Sequence, residues 1–435
     1  MRRARRAAAG LAVAALAGLA AAPGAAARTV RLDGPGARIL EEPDVAVDPL
    51  APNRVVVVVK DTQGSGDLRV DRFVSVDGGR TFGPRRRLAN TSFGGVPALV
   101  SDPVVDFDGA GRAFFGALAI RFYPERNRFD SVIGVRRSDD GGASFGPPGL
   151  AIRDEGRGLP EEANFPPDVD WNDKDWLTVD RARGVVYMGW NRIHTRFGGQ
   201  SSRIAVARST DGGASFATPV LLSPARGVTT GPQLAVRADG AVQVAWVGSP
   251  RPFAHGDAFV ATSRDGGTTF TAPHRVGHVT GVGSTAYDLA GIATSGSRSL
   301  ACWGSAGRAY CARADGDAWR AARPVDRRLG GLQDMIRITG DERGRFWLGM
   351  YAIGRGGTTV RLYRSTDGGR SFRLVRVLAR RRFAAGSFLP RSGVRTGDYF
   401  GLTAAGGRVT AAYVLPRRGR SPLSNSVYVT TVAAR

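Results

Sequence analysis

Lysine is almost missing from this chain. Among 61 basic residues only Lys60 and Lys174 are lysines, so arginine carries nearly all of a formal net charge of +23. Cysteine is confined to Cys302 and Cys311, and there are four histidines and four methionines. Two cysteines cannot supply a cysteine-ligated zinc or iron–sulfur centre. The histidines do not replace them. His194 and His255 stand apart, and His274 and His278 are four residues apart on a strand-like segment, two steps along one face and too far for routine chelation. After residue 27 no apolar run is long enough to cross a membrane as a helix. Phosphate-binding loops, zinc-protease helices and serine elbows are absent, because each Gly-Gly pair of the "DGG" type separates two strand-like runs and opens no helix. The positive charge is dispersed and accompanies no nucleic-acid motif, which leaves general attraction to polyanions such as wall glycans or acidic lipids.

What is present begins with a basic "MRRARR" and a small apolar stretch ending in "AAA" at 25–27. That pattern predicts a cleaved export signal over 1–27 and a single domain over 28–435 that is secreted, extracellular or cell-wall associated, and monomeric. Cys302 and Cys311 sit in "LACWGSAGRAYCA", two strand-like runs about a Gly-containing turn. An oxidising compartment allows a cross-strand disulfide there; two free thiols are the alternative.

One eight-residue phrase is written five times: "SVDGGRTF" at 75–82, "SDDGGASF" at 138–145, "STDGGASF" at 209–216, "SRDGGTTF" at 263–270 and "STDGGRSF" at 365–372. Each copy lies between the third and fourth runs of a longer unit of four β-like runs. The units fall near 44–88, 104–148, 176–222, 232–276, 288–325, 335–378 and 399–434. The last has only three runs, and "RTVRLDG" at 28–34 is a spare strand at the opposite terminus. Repetition of this kind predicts an all-β propeller of four-stranded blades, with seven blades, six as the rival count, and the ring closed by the N-terminal strand. The octapeptide reads as a hairpin device. Asp77, Asp140, Asp211, Asp265 and Asp367 bond nearby backbone, the glycines take left-handed dihedrals and the phenylalanine returns to the core. A calcium loop is the rival, although such loops supply more oxygen ligands than one acid and one hydroxyl.

These octapeptides resemble the Asp-box (BNR) repeats of the sialidase, or neuraminidase, superfamily, and the chain is similar to secreted bacterial proteins built from them. The resemblance implies a glycoside hydrolase acting on an anionic glycan, with three arginines gripping the substrate carboxylate, a tyrosine nucleophile aided by a glutamate, and an aspartate acid/base. It usually opens on a "[FY]-R-I-P" motif, where this chain has "EEPDVAVD" at 41–48.

Alternating strand direction puts the octapeptide turns at one end of the ring. The starts of the inner strands, and the loops between second and third strands, lie at the other. Six of the seven starts carry an acid, Asp44, Asp102, Asp175, Asp288, Asp334 or Asp398, and the seventh carries Gln233. Asp48, Asp108 and Asp180 fall at the octapeptide end and read as turn residues. Three readings of the acids stand side by side: local capping, a cation or sugar-hydroxyl site with calcium as the ion, and acid/base chemistry. Long insertions at 153–176 and 379–401 adjoin the same end. On the sialidase-like reading, Asp175 is the candidate acid/base, Tyr399 beside Asp398 the candidate nucleophile and Glu161 a further acid. Arg121, Arg192 and Arg395 are the candidate clamp, with Asp334 and Trp176 as further substrate contacts. A non-catalytic propeller binding extracellular glycan or protein, and a polysaccharide lyase-like enzyme, are the alternatives.

Overall fold

The computed structural model describes residues 27–32, 39–63, 67–88, 98–158, 166, 168–197, 199–251, 255–280, 289–382, 384–386, 393–417 and 425–434. The expected leader up to residue 26, Glu161 and Asp288 lie outside these residues, and of Arg395 only the backbone is described.

Among the described residues seven antiparallel sheets follow one another in sequence order, with one short parallel pair, Ala384–Gly386 and Gly393–Arg395, beside them. Blade 1 has the strands Ile39–Val47, Val55–Gln63, Asp67–Ser75 and Arg86–Arg87. The inner strands of blades 2 to 7 are Leu99–Phe107, Asp170–Asp180, Gln233–Val236, Gly291–Ser295, Leu332–Gly340 and Gly401–Ala405. The outermost strand of blade 7 is Arg28–Arg31, which runs antiparallel to Tyr428–Thr431. Leu32 N–H then donates to Val427 O at 2.9 Å. The N-terminal strand thus closes the ring, as the missing fourth run of the last unit predicts, and the count is seven rather than six.

The core lies between the blades. Val55–Val59 opens the second strand of blade 1 as an unbroken apolar run with every residue at most 1% exposed. Its alternate residues pack toward blade 7 on one side and blade 2 on the other. A strand covered on both faces reads as a continuous apolar run rather than an alternating one. Trp190, Trp246 and Trp303 fill the second strands of blades 3, 4 and 5. A disulfide joins Cys302 to Cys311, directly paired across the hairpin of blade 5 with Cα atoms 4.1 Å apart.

The octapeptides form one repeated turn. In the first copy Ser75 Oγ accepts from Gly79 N–H at 2.9 Å and donates to Asp77 Oδ1 at 2.8 Å. Asp77 also accepts from the Thr81 amide and hydroxyl at 2.9 and 2.6 Å. The same Ser-to-Gly and Asp-to-hydroxyl bonds recur in the other four copies. Gly78 N–H bonds Asn53 O at 2.7 Å, tying this turn to the one between the first and second strands. Asp48, Asp108 and Asp180 accept backbone N–H groups in those turns.

Candidate functional site

The opposite end is built from a recurrent irregularity. The inner strands of blades 1, 2, 3 and 6 slip register between Glu41 and Asp44, Ser101 and Val104, Asp173 and Trp176, and Asp334 and Arg337. Each slip holds one non-glycine residue in the left-handed region: Glu42 at φ 51°, Asp102 at 52°, Lys174 at 53° and Met335 at 49°. Gly397, with φ 79°, takes that place just before the inner strand of blade 7. A left-handed conformation costs a side-chain-bearing residue about 1–2 kcal/mol. Bulges re-aim side chains; those of Glu42, Asp102 and Lys174 enter one charged cluster, while Met335 packs into the core. The acids expected to form one ring therefore occupy different steps. Asp102 is itself the left-handed residue, Asp175 and Asp398 follow it by one, Asp44 follows by two, and Asp334 precedes it.

Three of the bulges and the start of blade 7 meet in a buried cluster. Lys174 from blade 3 contacts Asp398 Oδ2 of blade 7 directly and lies 3.8 Å from Asp102 Oδ1 of blade 2 and 4.0 Å from Asp173 Oδ1. Its backbone N–H donates to Asp102 Oδ2 at 3.1 Å. Lys60 lies 2.7 Å from Glu42 Oε2 and 3.4 Å from Glu41 Oε2. Both lysines of the chain thus stand in one cluster. An ammonium is a compact point charge that fits among several carboxylates, whereas a guanidinium needs a planar fork.

Charge within the cluster is unevenly shared. Burial pushes Glu42 up to about 8 against the pull of Lys60, and pushes Asp173 up to about 6 against Lys174. Burial also acts on Asp102, yet Lys174 and Lys60 outweigh it and hold that carboxyl below its ordinary range. Asp175 is 2% exposed, and neither of its carboxyl oxygens has a hydrogen-bond partner among the described residues. Burial, reinforced by the charge of Asp102, pushes it well above the usual carboxylate range. The arrangement favours the protonated form of Asp175 and the charged form of Asp102.

A second group closes the axis behind this cluster. Arg337 of blade 6 stacks on Trp176 of blade 3, with Cζ 4.0 Å from the ring centroid. It donates to Gln233 Oε1 of blade 4 at 2.6 Å and lies 3.9 Å from Asp44 Oδ1 of blade 1. Tyr399 meets Trp176 edge-on at 5.6 Å, and its hydroxyl donates to Pro103 O at 2.9 Å.

The sequence-predicted residues therefore divide. Asp175, Asp398, Tyr399 and Trp176 come together near the axis. Asp334 lies at the blade 6 bulge, where it accepts from Met335 N–H at 2.8 Å. Arg121 and Arg192 lie toward the ends of the second strands of blades 2 and 3, among carboxylates. Arg121 is 3.8 Å from Asp130, while Arg192 is 2.8 Å from Asp154 and 3.1 Å from Asp170. Glu42, Lys60 and Arg337 are absent from the sequence candidates. Scarcity was the available signal for Lys60; nothing in the local sequence marks Arg337. Among the described residues no group of three or more His, Cys, Asp or Glu side chains is arranged to hold a metal ion.

No family model and no curated protein matches the sequence. Solved structures match in fold at low identity. A protein of unknown function from Dyadobacter fermentans is 15% identical over 94% of this chain and 98% of its own, with a TM-score of 0.56. A GH93 α-L-arabinofuranosidase of Fusarium graminearum, solved with arabinobiose, is 11% identical over 94% and 97%, with a TM-score of 0.52. A PL25 ulvan lyase is 11% identical over 94% and 96%, with a TM-score of 0.53. The propeller is thus shared with several distinct classes of carbohydrate-active enzyme and is not specific to sialidases.

Proposed function

We propose that the protein is a secreted glycoside hydrolase that cleaves an extracellular glycan at the end of the ring where the inner strands begin. The observation that carries this reading is the buried, proton-bearing Asp175 beside the ionised Asp102 and the lysine-bound Asp398. A protonated carboxyl next to an ionised one is the pair that glycosidic cleavage requires. Asp175 gives its proton to the leaving oxygen. Asp102 or Asp398 steadies the positive charge that develops on the sugar, or draws the proton from an attacking water. Lys174 keeps Asp102 charged and holds both carboxylates in place. The bond from the Tyr399 hydroxyl to Pro103 supports a positioning role for that ring. Because Arg121 and Arg192 already face carboxylates, a neutral sugar at the point of cleavage fits better than a sialic acid. The arginine-rich surface would still gather an anionic polymer around it.

Export agrees with the Cys302–Cys311 bridge, since disulfides persist in oxidising compartments. Residues 1–27 would be the leader, and the remaining chain would act as a monomer. Among the described residues no helix is long and apolar enough to cross a membrane.

The test is a panel of arabinan, ulvan, sialyllactose and fluorogenic glycosides, scored for new reducing or unsaturated ends. Hydrolysis of one member, reduced at least 100-fold in Asp175→Asn at unchanged melting temperature, supports the proposal. Equal turnover by the variant removes the assignment of Asp175. New unsaturated ends would mark a lyase instead. A second reading, a non-catalytic glycan-binding propeller, is favoured by the burial of the whole cluster. Binding of a panel member without turnover would establish it.

A further inference from the structure

The axis holds a second feature on the far side of the Arg337–Trp176 plug. A channel of about 370 Å³ runs from Asp44, Trp176 and Arg337 toward the octapeptide end, and every inner strand contributes to its wall. None of Glu42, Asp102, Lys174 and Asp398 lines it, so it is separate from the cluster described above. Its size falls within the roughly 300–1,000 Å³ of small-molecule sites.

Arg337 is poorly served at the channel floor. It is only 7% exposed. One Nη bonds Gln233, the other keeps only the 3.9 Å approach to Asp44, and Nε has no acceptor among the described residues. A guanidinium offers five N–H donors, and leaving them unmatched away from water is costly. Asp44 is held by the backbone: its Oδ2 accepts from Val105 N–H at 3.0 Å and the carboxyl also takes a bond from the Val45 amide, while Oδ1 faces Arg337 across that 3.9 Å gap. One turn of strand above, the Thr178 and Thr403 side chains line the channel and make no hydrogen bond among the described residues.

We propose that this channel is a second carbohydrate site, taking one neutral sugar unit through the octapeptide end. The Asp44–Arg337 pair selects the chemistry. A hydroxyl between them accepts from the guanidinium and donates to the carboxylate, and only a group that is both donor and acceptor satisfies the two. An anion would gain Arg337 but meet Asp44, and a cation would meet the reverse. Thr178 and Thr403, from blades 3 and 7, offer two further hydroxyls to a ligand carrying several. The site lies beyond the plug from Asp175, so it holds sugar without taking part in cleavage.

Calorimetric titration of the full chain with D-glucose, D-galactose, L-arabinose and, as the anionic control, D-glucuronate tests the proposal. At least one neutral sugar should bind with 1:1 stoichiometry and glucuronate more weakly. Thr178→Val/Thr403→Val, which keeps side-chain shape, should weaken that binding at least tenfold. Arg337→Gln should do the same if it folds, and the threonine variant stands in for it if it does not. Asp175→Asn should leave the binding intact, which separates this site from the proposed reaction centre. Absence of binding by every neutral sugar, preference for glucuronate, or unchanged affinity in the double threonine variant would each overturn it.

Discussion

Lys174 of blade 3 reaches across the axis to Asp398 of blade 7, and the same ammonium approaches Asp102 of blade 2 to 3.8 Å. Blades far apart in sequence are joined by one charge. Lys174 therefore fixes both the protonation of the cluster and the meeting of the first blades with the last.

Removing that charge should be expensive. Lys174→Met leaves Asp398 buried without its cation and Asp102 with Lys60 alone, and breaking a buried pair from one side costs about 3–5 kcal/mol. Lys174→Arg should recover little of the loss, because a planar fork does not fit where a compact ammonium meets three carboxylates. Urea unfolding of the two variants measures both effects, and stability equal to the wild type in Lys174→Met would refute the role given to this residue.

The buried acids set a pH dependence of definite sign. Glu42 moves from 4.5 to about 8 on folding, and Asp44 and Asp173 move from 3.8 to about 6. Burial is the main cause in each case. The folded protein thus holds these protons more tightly than the unfolded chain does. Their contribution is most favourable below the unfolded values and is lost as pH rises toward about 8. Melting temperatures recorded from pH 5 to 8 should fall more steeply for the wild type than for Glu42→Gln, which has no proton to lose. Parallel curves would count against the assignment.

The octapeptide turns should matter for stability and not for chemistry. Ser75 is 1% exposed, and its hydroxyl both accepts from Gly79 and donates to Asp77. Ser75→Ala leaves a buried amide without its acceptor, at a cost of about 1–3 kcal/mol. Glycan turnover should stay within twofold of the wild type, since this turn lies at the far end from Asp175. A selective loss of turnover at unchanged stability would contradict the structural reading of the repeat.

Ring closure rests on the four residues Arg28–Arg31. A chain starting at residue 34 leaves the Asn425–Ala433 strand as an open edge, with Thr430 deprived of its 2.8 Å bond to Thr29. Such edges recruit other chains. The truncated protein should show a lower urea midpoint and a concentration-dependent increase in size by light scattering. Unaltered behaviour in both would show that the last blade stands on three strands.

The propeller was legible in the chain because its information is local. The units repeat apolar runs, and five of them share a turn whose Ser, Asp and Gly bond to one another within five residues, so the octapeptide can be read wherever it occurs. The shortfall of one strand in the last unit and the surplus at residues 28–34 predicted closure by counting alone. The pairing of Cys302 with Cys311 was open to the same kind of reading, since a hairpin keeps neighbours in sequence opposite each other.

The candidate site was legible only in part, because its contacts are not local. That Asp175, Asp398 and Tyr399 approach the axis follows from strand direction. Which step of each inner strand faces inward depends on the bulges, and a one-residue slip reverses the direction of a side chain. The six acids therefore read as one ring in sequence, and the five among the described residues separate into different positions in space. Arg337 is one arginine among dozens until folding stacks it on Trp176. Composition and repeat pattern by themselves determined the class of fold, the closure of the ring and the end of the ring to which Asp175, Asp398 and Tyr399 belong. The tertiary structure alone decided which side chains meet there, because contacts across the axis join residues up to about 300 positions apart, and only the closed ring brings them within reach.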